Sequence, residues 1–462
     1  MKVAKSLLHK ITNRTEIFND TLDIYNDALS FIIQVIDKEF DNTDDLTTKS
    51  IVPAVEKLIH ATKSNPQPKY KEFNERFYKF PSYFRRSAIA SAFGKVKSFR
   101  SNYQNWEEEQ KYALSEGKKF KKQSPRLPAE HKEFPVFYRG NMFNKTSNTT
   151  AQIKVFNQND WVWTDIEFKK QDLYKRGVWE WKENNPKLIK RGKKFFLSIS
   201  YENKVTLTKT PIQEQKVCAV DLGLTNSAVC SIIDAKGTVL GRTFIAQPKE
   251  KDRLQTLTNK LRKAQRASGC IQAPNFWRQI NGYQQHIVRH TSHEIIKFAA
   301  KHGCDVIVFE YLGKMKIPKG FYGARKLRFK LHGWRKIRIQ NKVEEMAHCL
   351  GIRISRINPR NTSALAFDGS GKVERNQKKD LAVFSMGKVH HANLSASYNI
   401  GARYFIRAFQ KTILETKWLS LQAKVPELAI RTSQTLSSFI SLHHALGLPK
   451  EAQPADVVPY SR

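Results

Sequence analysis

Two short apolar runs constrain this chain more than any other feature: VCAV at residues 217–220 and VIVF at 306–309, each ending in a carboxylate, Asp221 and Glu310. Around them the segments run strand, turn, strand, then helix, strand, helix, which is the order of an α/β domain. KVCAVDLGLTNSAVCSIIDAKGTVLGRTFI (216–245) supplies three consecutive strands, while KDRLQTLTNKLRKAQRASG (251–269) and QQHIVRHTSHEIIKFAAKHG (284–303) supply helices. Asp221 precedes a glycine turn, so its carboxylate is expected to stand exposed at the end of a buried strand. Taken alone, Asp221 is a turn former and Glu310 a surface carboxylate. Together they match the chemistry that holds two Mg²⁺ ions about 3.5–4 Å apart, one activating water and one stabilising the leaving oxygen of a phosphodiester. Further on, HHANLSASYNIGARYF (390–405) reads as the start of an amphipathic helix. There Asn393 suits a helix cap, and the residues alone leave open whether the position needs a charge.

The partner class follows from charge. Lys and Arg number 80 against 42 Asp and Glu, a formal +38, which calls for a polyanion whose counterions are released on binding. Nucleic acid is the leading candidate. No stretch approaches the ~20 apolar residues of a spanning helix and no early apolar region reads as a signal peptide, so a soluble, intracellular protein is expected. With 40% hydrophobic and 11% aromatic residues the charge decorates packed domains rather than a disordered tail. Cys218, Cys230, Cys270, Cys304 and Cys349 form no C-x-x-C pair. They read as small core residues in a reducing compartment.

Upstream, the strand-like MKVAKSLLHKI gives way to helical patterns, in which Ala28, Phe31, Ile32 and Ile36 share one face. FPSYFRRSAIASAFGKVKSFRSNYQNW (80–106) opens on helix-start residues and carries Arg85, Arg86, Lys95, Lys97 and Arg100, either a solvated basic face or a nucleic-acid face. After a Lys-rich linker, KKFFLSISYENKVTL alternates Phe195, Leu197, Ile199 and Tyr201. Trp161, Trp163, Trp179 and Trp181 also fall at period two, which predicts a small barrel or sheet with the tryptophans in its core. The region beyond Phe409 reads as mixed, and disorder is expected from Pro449.

At this point the chain resembles the TnpB family, transposon-encoded RNA-guided nucleases related to compact type V CRISPR effectors. AVDLGLTNSA resembles the first RuvC motif, IVFEYLG the second and HHANLSASYNIGARYF the third; FPSYFRRSAIASAFGKVKSFRSN is similar to the recognition-helix region and GKKFFLSISYENKV to the last wedge strands. The resemblance covers most of residues 1 to 410. It implies an α/β RNase H-like (RuvC) domain, a β-barrel wedge domain and an inserted α-helical recognition domain. The implied arrangement is a wedge strand at 1–15, recognition helices at 16–125, the wedge barrel at 126–213 and the first two RuvC motifs at 214–358. A nucleic-acid-binding insert follows at 359–388, then the third motif at 389–410 and a tail at 411–462.

Two departures carry chemistry. Asp221 and Glu310 match the first two metal-binding carboxylates, but Asn393 stands where relatives carry a third, an aspartate. The insert also lacks the four zinc cysteines of many relatives. An amide is neutral and a poor ligand, so a site built around three carboxylates loses a unit of charge and the geometry of at least one ion. The resemblance therefore implies a nuclease-dead, TnpB-derived repressor that binds guide RNA and double-stranded target DNA in the bacterial cytoplasm, at the nucleoid, with no membrane and no zinc. The alternative is a nuclease still using Mg²⁺. Tyr83, Arg85, Arg86 and Asn144 are expected to read a short duplex motif. Lys95, Lys97, Arg100, Arg325, Arg328 and Arg335 are expected to hold nucleic-acid backbone.

Overall fold

The computed structural model describes residues 1–13, 15–43, 45–117, 119–127, 132–269, 272–313, 335–376 and 380–447. Arg325, Arg328, Cys270 and the region from Pro449 lie outside them. The chain divides into two compact units, residues 2–203, and residues 204–462 with Met1.

In the first unit β1 (Lys2–Lys10) leads into α1 (Phe18–Glu39), α2 (Thr48–Ile59), α3 (Glu72–Arg76) and α4 (Ser82–Ser115). Strands β2 (Phe143–Lys145), β3 (Thr150–Asn157), β4 (Asp160–Glu167), β5 (Lys182–Glu183), β6 (Lys187–Arg191) and β7 (Lys194–Lys204) follow. β2, β3 and β4 form one antiparallel sheet, and β7 pairs with β1, β5 and β6 in another. The apolar face of α1 buries Ala28, Ile32 and Ile36 in the same cluster as Phe84 and Ala88 of α4, Ile153 of β3 and Leu197 of β7, so helices and sheets share one core. On β7 the alternation holds, with Phe195, Leu197, Ile199 and Tyr201 all buried.

The tryptophans depart from expectation. Trp161 packs edge-on against Phe80 and Phe84 at 5.7 and 5.4 Å, but Trp163, on the same face of β4, is 41% exposed. Trp181 is half-buried, and Trp179 is exposed because it lies in the connection between β4 and β5, outside any strand. Period two places side chains on a face; whether anything covers that face is a tertiary matter.

The second unit is built on a five-stranded sheet in the order β10-β9-β8-β11-β12. Its strands are β8 (Lys216–Asp221), β9 (Ala228–Asp234), β10 (Val239–Ile245), β11 (Val306–Glu310) and β12 (Arg353–Ile357). β8, β9 and β10 are antiparallel, whereas β11 lies parallel to both β8 and β12. Between them come α5 (Pro248–Ser268), α6 (Pro274–Lys301) and α7 (Lys336–Cys349). A small sheet of β13 (Glu374–Arg375), β14 (Leu381–Val383) and β15 (Val389–His391) precedes α8 (Ala392–Thr412), α9 (Glu415–Lys424) and α10 (Leu436–Ala445). Both faces of the main sheet are covered, which explains why β8 and β11 read as unbroken apolar runs. Cys218, Val220, Ile307 and Phe309 face α6 and α7. Val217, Ala219, Val306 and Val308 face α8. Cys218, Cys230 and Cys304 are buried, in line with a core role; Cys349 is partly exposed.

Residues 410–447 are not a loose tail. Trp418, Leu421, Leu428, Leu436, Phe439 and Leu442 join the α8 core, and Phe439 stacks on Phe405 at 5.1 Å. The helices there are short, and α10 opens with a Thr435/Ser438 capping box that uses Ser instead of the usual Glu or Gln, so periodicity and caps are both faint.

α8 presses closely on the sheet at Gly401, where a Cβ would lie 2.6 Å from Ile233 Cδ1 and 3.3 Å from Ala219 Cβ. Ala219 is fixed by its strand and cannot yield. Gly401→Val is therefore expected to overpack this contact and to destabilise the unit by about 1–3 kcal/mol, read as a lowered thermal midpoint. An unchanged midpoint would mean that α8 does not sit this close.

Candidate functional site

The parallel register pairs Val308 with Ala219 and Phe309 with Val220, so the next residues, Glu310 and Asp221, end neighbouring strands side by side. Adjacent strands lie about 5 Å apart. Side chains alternate across a strand, and because 217, 219, 306 and 308 face α8, so do Asp221 and Glu310. The crevice beyond the carboxyl ends of parallel strands is where open α/β sheets bind ligands.

The start of α8 reaches the same place. Asn393 is the second residue of the helix and not its cap, a position held by His391. Its side chain lies against the turn after Asp221: a Cβ on Gly223 would stand 3.1 Å from Asn393 Nδ2 and 2.8 Å from the Asn226 carbonyl oxygen. That turn is tied down twice. The Asn226 amide donates to His391 Nε2 at 3.3 Å, an acceptor role that suits a ring kept neutral by burial. Lys251 donates to the carbonyls of Leu224 and Thr225 at 3.0 and 2.5 Å, and burial lowers its ammonium to about 8.

Asp221 is buried instead of exposed, since α8 covers the strand end. Burial, and then the neighbouring charge of Glu310, push its carboxyl up to about 8, while Arg375 opposes the shift. Burial raises Glu310 as well, against the Thr362 hydroxyl and the charges of Arg403 and Lys336. Thr362 contacts both Glu310 Oε1 and the Pro359 carbonyl, but its single proton serves one acceptor at a time.

The loop carrying Thr362 is held from α8. Asn399 Nδ2 donates to Thr362 O and Leu365 O, both at 3.0 Å, and its Oδ1 accepts from Leu436 N at 3.1 Å. One turn later the buried Arg403 donates to the carbonyls of Asn358, Arg360, Thr432 and Gln434. Sequence reasoning missed Thr362, Asn399, Arg403, Lys336 and Arg375. Asn399 and Arg403 left a legible signal, two large polar residues four apart on a helix that is otherwise buried.

The donor set falls short of the three carboxylates that a two-ion site is built around: Asp221 and Glu310 supply two, and Asn393 supplies a neutral amide. Among the described residues no three His, Cys, Asp or Glu side chains come together as metal ligands.

The expected nucleic-acid residues divide. Arg85 is buried, with Nε 3.2 Å from Glu56 Oε1, so its guanidinium braces α2 against α4 and is not presented for base reading. Arg86 shares that carboxylate at 3.4 Å while remaining 54% exposed. Tyr83 packs on Tyr138 at 4.8 Å, and Asn144 is exposed on β2. Lys95 pairs with Glu133 at 3.0 Å and Lys97 donates to the Thr43 carbonyl at 3.1 Å. Arg100 binds the carbonyls of Asp37, Phe40 and Asp41 at the end of α1, a C-terminal cap. Arg335 donates to Gln284 and Asn281 of α6 at 2.7 and 2.5 Å. For these four cations, expected on a polyanion, the structure supplies partners within the protein.

A family model described as Aq_aa04 matches residues 3–157. No curated protein matches the chain. Similar solved structures include a Cas12f1–sgRNA–target DNA complex, at 15% identity over 86% of this chain and 98% of that one with a TM-score of 0.45. CasPhi-2 (Cas12j) bound to crRNA gives 9% identity over 86% and 97% with a TM-score of 0.47. The mini-RNA-guided endonuclease CRISPR-Cas_phi3 gives 10% over 86% and 92% with a TM-score of 0.46. These are distant likenesses, and the functional reading rests on the carboxylate geometry and the motifs.

Burying the Asp221 carboxyl has a measurable cost. A carboxyl that holds its proton up to about pH 8 when folded, against an ordinary value of 3.8, destabilises the fold progressively as pH rises between those values. Asp221→Asn is expected to be more stable than the parent chain by roughly 1–3 kcal/mol at pH 8 in metal-free buffer. The gain should vanish toward pH 4. Thermal midpoints that do not diverge between the two pH values would show that Asp221 is ionised and solvated.

Proposed function

We propose that this chain is an RNA-guided DNA-binding protein with an inactivated RuvC-type nuclease site, acting as a transcriptional repressor by occupying guide-matched DNA. One observation carries the reading: where two adjacent strands deliver Asp221 and Glu310 to one crevice, the helix that closes it delivers the neutral amide of Asn393. An amide keeps the shape of an aspartate and removes its charge, so the crevice retains its architecture without the ligands for a two-ion displacement. The strand order around it, with the first β-strand central and the acidic residues at strand ends, supports an RNase H-like assignment for the second unit. Recognition helices and wedge strands are assigned to the first.

Sequence choice then comes from base pairing between guide RNA and target strand, while the protein grips backbone and A-form shape. The formal charge of +38 suits that grip. Among the described residues no helix is long and apolar enough to cross a membrane. Motif reading falls to Tyr83, Arg86 and Asn144, with Arg85 as the brace behind Arg86.

The test begins with the unaltered chain, which should purify from its host with a defined structured RNA and bind guide-matched duplex. In Mg²⁺ it should leave that duplex uncut, with loss of ion alignment costing on the order of thousands-fold in rate. Asn393→Asp returns the charge with little change of shape; any cleavage it regains, with guided binding equal in both forms, locates the lesion at this residue. Robust Mg²⁺-dependent cutting by the unaltered chain would overturn the repressor reading in favour of an active nuclease.

The two neighbouring arginines should also separate. Arg86→Ala is expected to weaken target-duplex binding by ~1–3 kcal/mol with an unchanged thermal midpoint. Arg85→Ala should lower the midpoint by roughly 1.5–3 kcal/mol of stability, because it strips a half-buried charge-assisted bond from Glu56. Equal effects on duplex and guide binding by Arg86→Ala would place that side chain on RNA.

A further inference from the structure

The connection between β4 and β5 presents two large aromatic side chains to solvent, Tyr174 at 77% exposure and Trp179 at 60%. Their ring centroids lie 6.4 Å apart at an interplanar angle of 50°. This is not a loose loop. Asp172 accepts from Lys175 N through Oδ1 at 3.0 Å, as an N-cap does, and the carbonyls of Leu173 and Tyr174 accept from Val178 N at 3.0 Å and Gly177 N at 2.8 Å. Those two bonds, with Gly177 at φ +61°, make a Schellman closure around one helical turn. Val178 is fully buried and Leu173 packs on the core, so the turn is anchored by its apolar residues. The anchoring fixes Tyr174 and Trp179 on the outside. Trp181 next to them is half-buried and already lies under Lys5 Nζ, 5.1 Å from its ring.

Large aromatics held outward on a capped turn call for a flat apolar partner, and the charge around them states its sign. Residues 169–182 contain five cations, among them Lys169, Lys170, Lys175 and Arg176, against Asp172 and Glu180. Those four cations are exposed. Lys175 lies 3.8 Å from Asp172, a loose and solvated pair. Exposed aromatics beside a cationic rim are the recipe of single-stranded nucleic-acid binding, in which bases stack on rings and phosphates meet Lys and Arg.

We propose that Tyr174 and Trp179 form a stacking platform for unpaired bases of RNA, with Lys169, Lys170, Lys175 and Arg176 on its backbone. The inference deepens the RNA-guided reading and rests on it for the source of the RNA. It concerns a surface in the first unit, independent of the carboxylate crevice.

The test uses the full chain and a fluorescent oligoadenylate RNA of about a dozen nucleotides, followed by anisotropy over a salt series. Tyr174→Ala and Trp179→Ala are each expected to weaken binding about tenfold without changing the salt slope, whereas Trp179→Phe keeps most of the affinity. Lys175→Ala with Arg176→Ala should lower the slope of log K against log salt by about 1.4, since each phosphate contact on a single strand contributes about 0.7. Thermal midpoints should not move, because none of these side chains is buried. Unchanged RNA affinity in the Tyr174→Ala/Trp179→Ala double variant overturns the platform. So does a double variant that alters self-association in sedimentation and leaves RNA affinity intact, which would assign the surface to a protein contact. If guide RNA still copurifies and guided DNA binding persists while the double variant is silent, the platform fails and the functional reading stands; a parent chain that binds no RNA removes both.

Discussion

Two carboxyl groups at the ends of adjacent strands whose backbones lie about 5 Å apart, walled in by a helix, cannot both ionise cheaply. Much of the second unit answers that constraint. The charge of Arg375 offsets part of the upward shift at Asp221, and those of Arg403 and Lys336 offset part of it at Glu310. Thr362 offers a hydroxyl to Glu310, and Lys251 and Asn226 fix the turn that carries the chain away from Asp221. A third carboxylate at position 393 would sharpen the repulsion unless metal ions neutralised it. An asparagine there relieves the same strain without a metal, so losing the charge and keeping the fold are physically compatible.

How much of this was legible in the sequence depends on how local the cause is. VCAVD and VIVFE announced their strands because both faces of the sheet are covered and the apolar runs are unbroken. Asn393 was legible as an anomaly because the residues flanking it matched a motif. The burial of Asp221 was not legible: it depends on α8 lying across the strand ends, a contact between residues far apart in the chain. The helices beyond Phe409 were missed for a related reason, since they are short and their apolar residues make sense only against Phe405 and the rest of α8.

The basic residues teach a different lesson. Charge excess directs attention to a polyanion, but it does not say which cations would face it. Arg100 caps α1, Arg335 braces α6, Lys95 pairs with Glu133 and Arg85 pairs with Glu56. A guanidinium is a structural tool as well as an electrostatic one, because its fork reaches several carbonyls at once. Conversely, the tryptophans expected in a core include Trp179, which stands outside because the turn around it is closed by backbone hydrogen bonds and anchored by Val178.

Arg403 gathers carbonyls from two stretches of chain about seventy residues apart, 358–360 and 432–434. A single side chain thus makes the segment after α9 part of the wall around Glu310. Insertions or deletions in that distant stretch are consequently felt inside the crevice, so its length is under the same geometric discipline as the strands themselves. That discipline concerns spacing and not chemistry. It would act in the same way on a crevice that holds metal ions and on one that does not.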